Sequence, residues 1–139
     1  RPVEGWRRTE LSDLLATSDV VVLAARLTEE TRGMIGRAEM ETMGEDAYLI
    51  NVARGEMVVT DDLVVALQSG AIAGAALDVT DPEPLPPDHP LLALPNCLVT
   101  PHIASASVGT RRAMAAMAVD NLVAALEGRR MPAEYRGGG

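Results

Sequence analysis

The sequence predicts an α/β protein, part of a doubly wound parallel sheet, on three observations. Short apolar runs that suit strands alternate along the chain with segments of helical periodicity. The runs are rich in Val, Ile, Leu and Ala, as is typical of parallel strands buried on both faces. No strand is followed by the pattern G-x-G-x-x-G, so the predicted sheet lacks the glycine-rich first half of such a fold.

The predicted elements follow in order. Strands are expected over residues 19–25, 47–51, 72–77 and 97–100. Helices are expected over residues 10–17, 37–43, 60–70 and 107–127. Thr9, Thr60 and Ser107 are the expected N-caps, and Gly70 is an expected C-terminal stop. The last helix carries Met114 and Met117 on an apolar face, which we interpret as core packing.

Composition narrows the possible functions. The chain has 139 residues, is 47% hydrophobic and carries a net charge of −8, which disfavours nucleic acid as a partner. No apolar run approaches the ~18 residues that suggest a membrane span. The single Cys97 excludes an internal disulfide, leaves no zinc pattern and fits a reducing cytoplasm. The chain begins with Arg1 and no initiator Met, so we expect a piece of a longer protein.

Arg54 is the first candidate for chemistry. An apolar strand ends in Asn51, and Arg54 and Gly55 follow directly. A guanidinium at that point could bind a carboxylate through two parallel hydrogen bonds and polarise a neighbouring carbonyl. The alternative is an ordinary surface arginine on a loop.

Three more candidates follow the later strands. Glu83 lies between two prolines that restrict its backbone, and His102 could donate a proton to a carbonyl oxygen. Asp78 ends a strand and could accept hydrogen bonds from a ligand. The alternative for Glu83 is a solvated loop acid, and for His102 a partly buried histidine whose hydrogen bonds are satisfied. The alternative for Asp78 is a residue that caps a loop turn. His89, inside the proline-rich loop, is interpreted as structural.

The order of these residues is more specific than any one of them. Parallel strands bring their carboxyl ends to one edge of a sheet, where open α/β folds bind ligands. The sequence therefore predicts that the strand-end sites share that edge.

From about Thr9 to Glu134 the chain resembles the cofactor domain of the D-isomer-specific 2-hydroxyacid dehydrogenases, a Rossmann-like fold. The resemblance is carried by the segments Leu11-Ser12-Asp13-Leu14-Leu15, Leu27-Thr28-Glu29-Glu30-Thr31, Asn51-Val52-Ala53-Arg54-Gly55, Gly74-Ala75-Ala76-Leu77-Asp78-Val79 and Pro101-His102-Ile103-Ala104-Ser105-Ala106. The segment from Asp78 to Leu92 is most similar to the glyoxylate/hydroxypyruvate reductases. The resemblance implies that residues 1–128 are the C-terminal part of a dinucleotide-binding domain and residues 129–139 a C-terminal tail.

The resemblance also implies the role of each residue. Arg54 would bind the carboxylate of a 2-oxo acid, His102 would protonate its carbonyl, and Glu83 would orient His102. The implied cofactor is NAD or NADP, and the implied contacts with it are those of Arg26, Val52, Asp78 and Ala104. Arg26 departs from its relatives, many of which have Pro there. No metal site is implied.

The implied activity is transfer of a hydride from NAD(P)H to glyoxylate or hydroxypyruvate, in an enzyme whose relatives usually form homodimers. Because the glycine-rich turn is absent, we expect this chain alone to have little or no turnover. Two alternatives remain open: a phosphoglycerate- or formate-dehydrogenase-type relative, and a non-catalytic module that senses dinucleotides.

Overall fold

The computed structural model describes residue 5 and residues 7–134. After Pro101 the chain divides into two compact units. The elements of the first unit are α1 (Leu11–Thr17), β1 (Val20–Leu23), α2 (Arg37–Met43), β2 (Tyr48–Asn51), α3 (Thr60–Ser69), β3 (Gly74–Leu77) and β4 (Cys97–Val99), with short 3₁₀ turns at Gly55–Met57 and Pro90–Ala93. The second unit contains α4 (Val108–Leu126). The predicted domain boundary at residue 128 stays a prediction, and the last five residues of the predicted tail lie outside the described residues.

The four strands form one parallel sheet in the order β1-β2-β3-β4. Val22 pairs with Ile50, Ile50 with Ala76, and Ala76 with Leu98, so the strands are in register. Each parallel neighbour is reached by a crossover connection, as this topology requires. The predicted α/β class and the parallel sheet are confirmed.

The sheet buries one face. Alternate strand residues such as Val21, Leu49 and Leu77 belong to one core with Leu15 of α1, side chains of α2 and Leu63 of α3. The other face leaves Val22 54% exposed and Leu98 63% exposed. The prediction of burial on both faces is therefore wrong for the residues described, because their three helices in this unit pack into the core of a single face.

Helix ends differ from the prediction at two positions. Glu10 and Val59, rather than Thr9 and Thr60, are the N-cap residues of α1 and α3, and neither makes a side-chain cap. Thr60 lies inside α3, where its hydroxyl bonds to another loop. Gly70 ends α3 with φ 74°, a left-handed conformation that favours glycine, so that predicted stop is confirmed.

The loop after β3 contains the prolines that the sequence singled out. His89 precedes its 3₁₀ turn, and its Nδ1 accepts a hydrogen bond from the backbone N–H of Leu91 at 3.3 Å. This contact confirms the structural interpretation of His89.

In the second unit, Ser107 caps α4 as predicted, since its hydroxyl accepts from the N–H of Thr110 at 3.1 Å. The apolar face of α4 is not buried. Met114 is 58% exposed and Met117 is 53% exposed. Their interpretation as core packing is wrong in the described chain, because helical spacing defines a face without defining what covers it.

Residues 5 and 7–134 include no helix with the length and apolarity needed to cross a membrane.

Candidate functional site

The turn after β2 is built around Asn51. Its side chain is 1% exposed, its Nδ2 donates to the carbonyl of Arg54 at 2.9 Å, and its Oδ1 accepts from the N–H of Ala53 at 3.0 Å. A buried amide that bonds the backbone on both sides fixes the turn. Sequence reasoning did not include Asn51 among the site residues, although an amide that ends an apolar run is a signal for such a turn.

Arg54 projects from this turn and is exposed. Its Nη1 donates to the carbonyl of Ala53 at 2.6 Å, which holds the guanidinium close to the backbone. Since a guanidinium carries several N–H groups in a rigid fork, the other N–H groups of Arg54 are suited to bind a carboxylate.

A cleft of about 460 Å³ opens where β1 and β2 end. It is lined by residues of the two loops that follow these strands: Ala24, Ala25, Arg26, Leu27, Val52, Ala53 and Arg54. The structure thus brings Arg54 together with Arg26 and Val52, two of the predicted cofactor contacts.

Asp78 lies at the same edge, at the end of β3. Its backbone N–H donates to the carbonyl of Asn51 at 2.9 Å, and its carboxylate accepts from the hydroxyl of Thr100 at 2.6 Å. The side chain is 7% exposed. Thr100 follows β4, so Asn51, Asp78 and Thr100 stand in a row across the ends of three strands, and the prediction that the strand-end sites share an edge is confirmed for the first unit.

Glu83 is an exposed residue of the next loop. The N–H of Thr80 donates to its Oε2 at 3.4 Å, and the hydroxyl of Thr80 donates to the carbonyl of Pro82 at 2.9 Å. The loop also lies against Gly55, where an added Cβ would stand 2.1 Å from the carbonyl carbon of Thr80. Glu83 is therefore on a loop that contacts the residue next to Arg54.

His102 and Ala104 belong to the second unit, and both are exposed. His102 has φ 53°, in the left-handed region that few residues other than glycine adopt. Such a conformation costs on the order of 1 kcal/mol or more, and strained residues of this kind cluster at functional sites. This strain favours a functional role for His102 over that of an ordinary packed histidine.

Cys97 is a poor nucleophile candidate. Burial raises the pKa of its thiol to about 11 from an ordinary value of 9.0. Because the thiolate is the reactive form, this cysteine is inert near neutral pH.

Comparison with known proteins identifies the family. The family model for the NAD binding domain of D-isomer specific 2-hydroxyacid dehydrogenases matches residues 2–104. This chain belongs to that family. The resemblance inferred from the strand-end motifs is confirmed.

Two similar curated relatives are named as reductases. The glyoxylate reductase/hydroxypyruvate reductase of Homo sapiens is 49% identical over 124 residues, which are 89% of this chain and 38% of that protein. The glyoxylate reductase of Thermofilum pendens is 50% identical over 125 residues, 90% of this chain and 37% of that protein. The chain therefore spans little more than a third of the length of these relatives.

Solved structures of family members share the fold. The D-isomer specific 2-hydroxyacid dehydrogenase of Lactobacillus delbrueckii ssp. bulgaricus, in its NAD complexed form, has a TM-score of 0.85 and 33% identity. That match covers 92% of this chain and 43% of the other. The NADPH-dependent glyoxylate/hydroxypyruvate reductase of Sinorhizobium meliloti, in complex with NADP and malonate, has a TM-score of 0.80, 41% identity and coverage of 89% and 40%, respectively.

The residues at this edge are compatible with a dinucleotide, the kind of cofactor named for the domain of the family. Ala24, Ala25 and Ala53 line the cleft with small side chains, which suit the close approach of a flat ring. Asp78, held by Thr100, adds a fixed hydrogen-bond acceptor nearby. The glycine-rich turn that binds a pyrophosphate in such folds does not occur in the sequence.

Proposed function

We propose that this chain is part of an NAD(P)H-dependent reductase of small 2-oxo acids, with glyoxylate or hydroxypyruvate as substrate and a D-2-hydroxyacid as product. The observation that carries the proposal is the position of Arg54, on a turn fixed by buried Asn51 and in a cleft shared with Arg26 and Val52. A non-catalytic module would have no physical need for a guanidinium held in this way.

When bound, the cofactor would supply the hydride that reduces the carbonyl carbon of the oxo acid. Arg54 binds the carboxylate of the substrate and draws electron density from the neighbouring carbonyl oxygen. His102 gives that oxygen a proton, so the products are the hydroxy acid and the oxidised cofactor. In this proposal Glu83 would orient His102 and hold its proton, as a carboxylate does in other catalytic sets.

Four residues are proposed to contact the dinucleotide. Val52 and Ala104 contribute backbone groups, and Asp78 faces the nicotinamide. Arg26 lies in the same cleft as Val52, which supports its inclusion although many relatives have Pro there. The proposed roles of Asp78 and Val52 draw support from their position at the carboxyl ends of β3 and β2.

We further propose that the complete enzyme is a cytoplasmic homodimer and that residues 1–139 alone turn over slowly or not at all. The second proposal follows from the absence of a pyrophosphate-binding turn in this sequence. Sedimentation of the complete enzyme tests whether it is a homodimer. An assay of the isolated chain with NAD(P)H and an oxo acid tests whether it turns over.

The proposed function is tested by a substrate panel with the complete enzyme. Oxidation of NADH and of NADPH is followed with glyoxylate, hydroxypyruvate, pyruvate and phosphohydroxypyruvate, and with glycolaldehyde as a control that lacks the carboxylate. We expect glyoxylate or hydroxypyruvate to have the highest kcat/KM and glycolaldehyde to react far more slowly. Preference for phosphohydroxypyruvate would indicate the phosphoglycerate-type alternative, and cofactor binding without any turnover would indicate the dinucleotide-sensing module.

A further inference from the structure

The hydroxyl of Thr60 makes a contact between the start of α3 and the loop after β3. Thr60 is the first residue of α3, and its Oγ1 donates to the backbone carbonyl of Asp81 at 2.7 Å. These residues are 21 positions apart in the chain. Because the hydroxyl bonds outside its own helix, it contributes nothing to capping α3 and connects α3 to the loop that carries Glu83.

A second contact joins the same two segments. Gly55 lies so close to the Thr80–Asp81 peptide that a Cβ there would stand 2.1 Å from the carbonyl oxygen of Thr80 and 2.6 Å from the nitrogen of Asp81. Residues 55–60, which directly follow Arg54, therefore contact residues 80–81 at both of their ends. One contact is backbone packing, and the other is a hydrogen bond.

The restraint extends to Glu83. Asp81 is two residues before it, and Thr80 bonds through its hydroxyl to the carbonyl of Pro82 and through its N–H to the carboxylate of Glu83. A loop held at residues 80–81 thus has little freedom to move the carboxylate relative to the turn of Arg54. If Thr60 releases Asp81, the interface loses this hydrogen bond and keeps the packing of Gly55.

We propose that Thr60 is a positioning residue of the reductase. Through the carbonyl of Asp81 it fixes the loop of Glu83 relative to the turn of Arg54, and it touches neither substrate nor cofactor. The inference rests on the proposed function, in which Glu83 and Arg54 act on the same reaction.

The test compares three variants of the complete enzyme. Thr60→Val removes the hydroxyl with little change in shape, and Thr60→Ser keeps it. Thr42→Val is the matched control, because the exposed hydroxyl of Thr42 bonds within its own helix α2, to the carbonyl of Ala38 at 2.8 Å. We expect Thr60→Val to lower kcat roughly 3- to 10-fold, the effect of losing one hydrogen bond, while the Kd of NAD(P)H stays unchanged.

A second measurement reports the mobility of the loop that carries Glu83. Backbone amide order parameters of Asp81 and Glu83 are expected to fall in Thr60→Val and to match the wild type in Thr60→Ser and Thr42→Val. The kcat of Thr60→Ser is expected to stay within about twofold of wild type, and the urea midpoints of all variants confirm that they fold.

The outcomes separate the two proposals. A wild type that reduces no oxo acid refutes the proposed function, and the order parameters then decide by themselves whether Thr60 restrains the loop. A wild type that is active while Thr60→Val keeps its kcat refutes the positioning role. Order parameters that do not change in Thr60→Val, or a Thr60→Ser variant as slow as Thr60→Val, overturn it as well.

Discussion

The side-chain amide of Asn51 donates a hydrogen bond to the backbone carbonyl of Arg54 at 2.9 Å. Asn51 is the last residue of β2 and is 1% exposed, whereas Arg54 is exposed. The bond therefore joins a buried strand end to the backbone of a residue whose side chain is at the surface. The turn that carries Arg54 is thus held by an amide in the protein core.

Asn51→Asp tests this dependence. The carboxylate keeps an acceptor for the N–H of Ala53 but loses the donor to Arg54, and it places an oxygen against a carbonyl oxygen. We expect the free energy of unfolding to fall by about 1–3 kcal/mol, measured by urea denaturation.

Asn121→Asp is the matched control for this change. Asn121 uses its Oδ1 to accept from the N–H of Ala133 at 2.9 Å, a role that aspartate can keep. We expect its stability to stay within about 0.5 kcal/mol of wild type. Equal losses in the two variants would show that the donor to Arg54 is unimportant.

Gly55→Ala should be severe because the space for a methyl group is occupied by backbone. The new Cβ would lie 2.1 Å from the carbonyl carbon of Thr80, and a peptide cannot move aside as a flexible side chain can. We expect a loss of at least about 2 kcal/mol in unfolding free energy. In the control Gly109→Ala, no atom lies within 4 Å of the new Cβ, so the melting temperature should be unchanged or slightly higher. A Gly55→Ala variant as stable as wild type would contradict the close approach.

Arg54→Lys keeps the positive charge but removes the planar pair of donors. If Arg54 binds the substrate carboxylate, kcat/KM for the oxo acid should fall roughly 10- to 100-fold in steady-state kinetics, with the Kd of the cofactor unchanged. Arg37→Lys is the control, since Arg37 is an exposed residue whose ion pair with Asp62 is 3.7 Å long and contributes little. A lysine variant with wild-type kcat/KM would show that Arg54 is an ordinary surface arginine and does not bind the substrate carboxylate.

Cys97 predicts an alkaline limit to stability. Burial raises the pKa of its thiol to about 11 in the folded chain, above the ordinary value of 9.0 expected on unfolding. The folded state therefore keeps the thiol proton to a higher pH than the unfolded state does. The stability that depends on the protonated thiol is complete below pH 9.0 and is lost as the pH rises toward about 11. Thiolate absorbance should titrate near 11 in the native protein and near 9 in urea, and Cys97→Ser should lack the signal. A native midpoint near 9 would refute the burial effect.

The strand ends could be predicted because they depend on local signals. An apolar run that ends in Asn51, Asp78 or Thr100 marks the edge of a parallel sheet, and the topology then aligns those ends. Arg54 and Asp78 could be proposed as site residues from this pattern alone.

The contacts between loops could not be predicted in the same way. The bond from Thr60 to Asp81 joins residues 21 positions apart, and the bond from Thr100 to Asp78 joins residues 22 apart. In sequence, Thr60 resembles an N-cap because threonine before two acidic residues is a common helix start. Its partner, the carbonyl of Asp81, is identified only from the structure, in which the strands bring these two segments together.

The sequence pattern also left undetermined which apolar faces are buried. The spacing of Met114 and Met117 defines one side of α4, and the composition of β1 suits a strand buried on both faces. Neither pattern states which element will cover that side. The structure leaves both methionines and Val22 more than half exposed.

His102 gives the most direct test of the proposed reaction. His102→Asn is the suitable variant, because asparagine tolerates the left-handed backbone at φ 53° and cannot supply the proton. The control is His89→Asn, whose Oδ1 can still accept from the N–H of Leu91. Both are made in the complete enzyme, and kcat for hydroxypyruvate is measured together with the Kd of NADPH.

The account predicts that kcat of His102→Asn falls at least about 100-fold, as expected for loss of a general acid, while His89→Asn and both cofactor affinities stay near wild type. A His102→Asn enzyme with the kcat of wild type would contradict the assignment of His102 as the proton donor and, with it, the proposed mechanism.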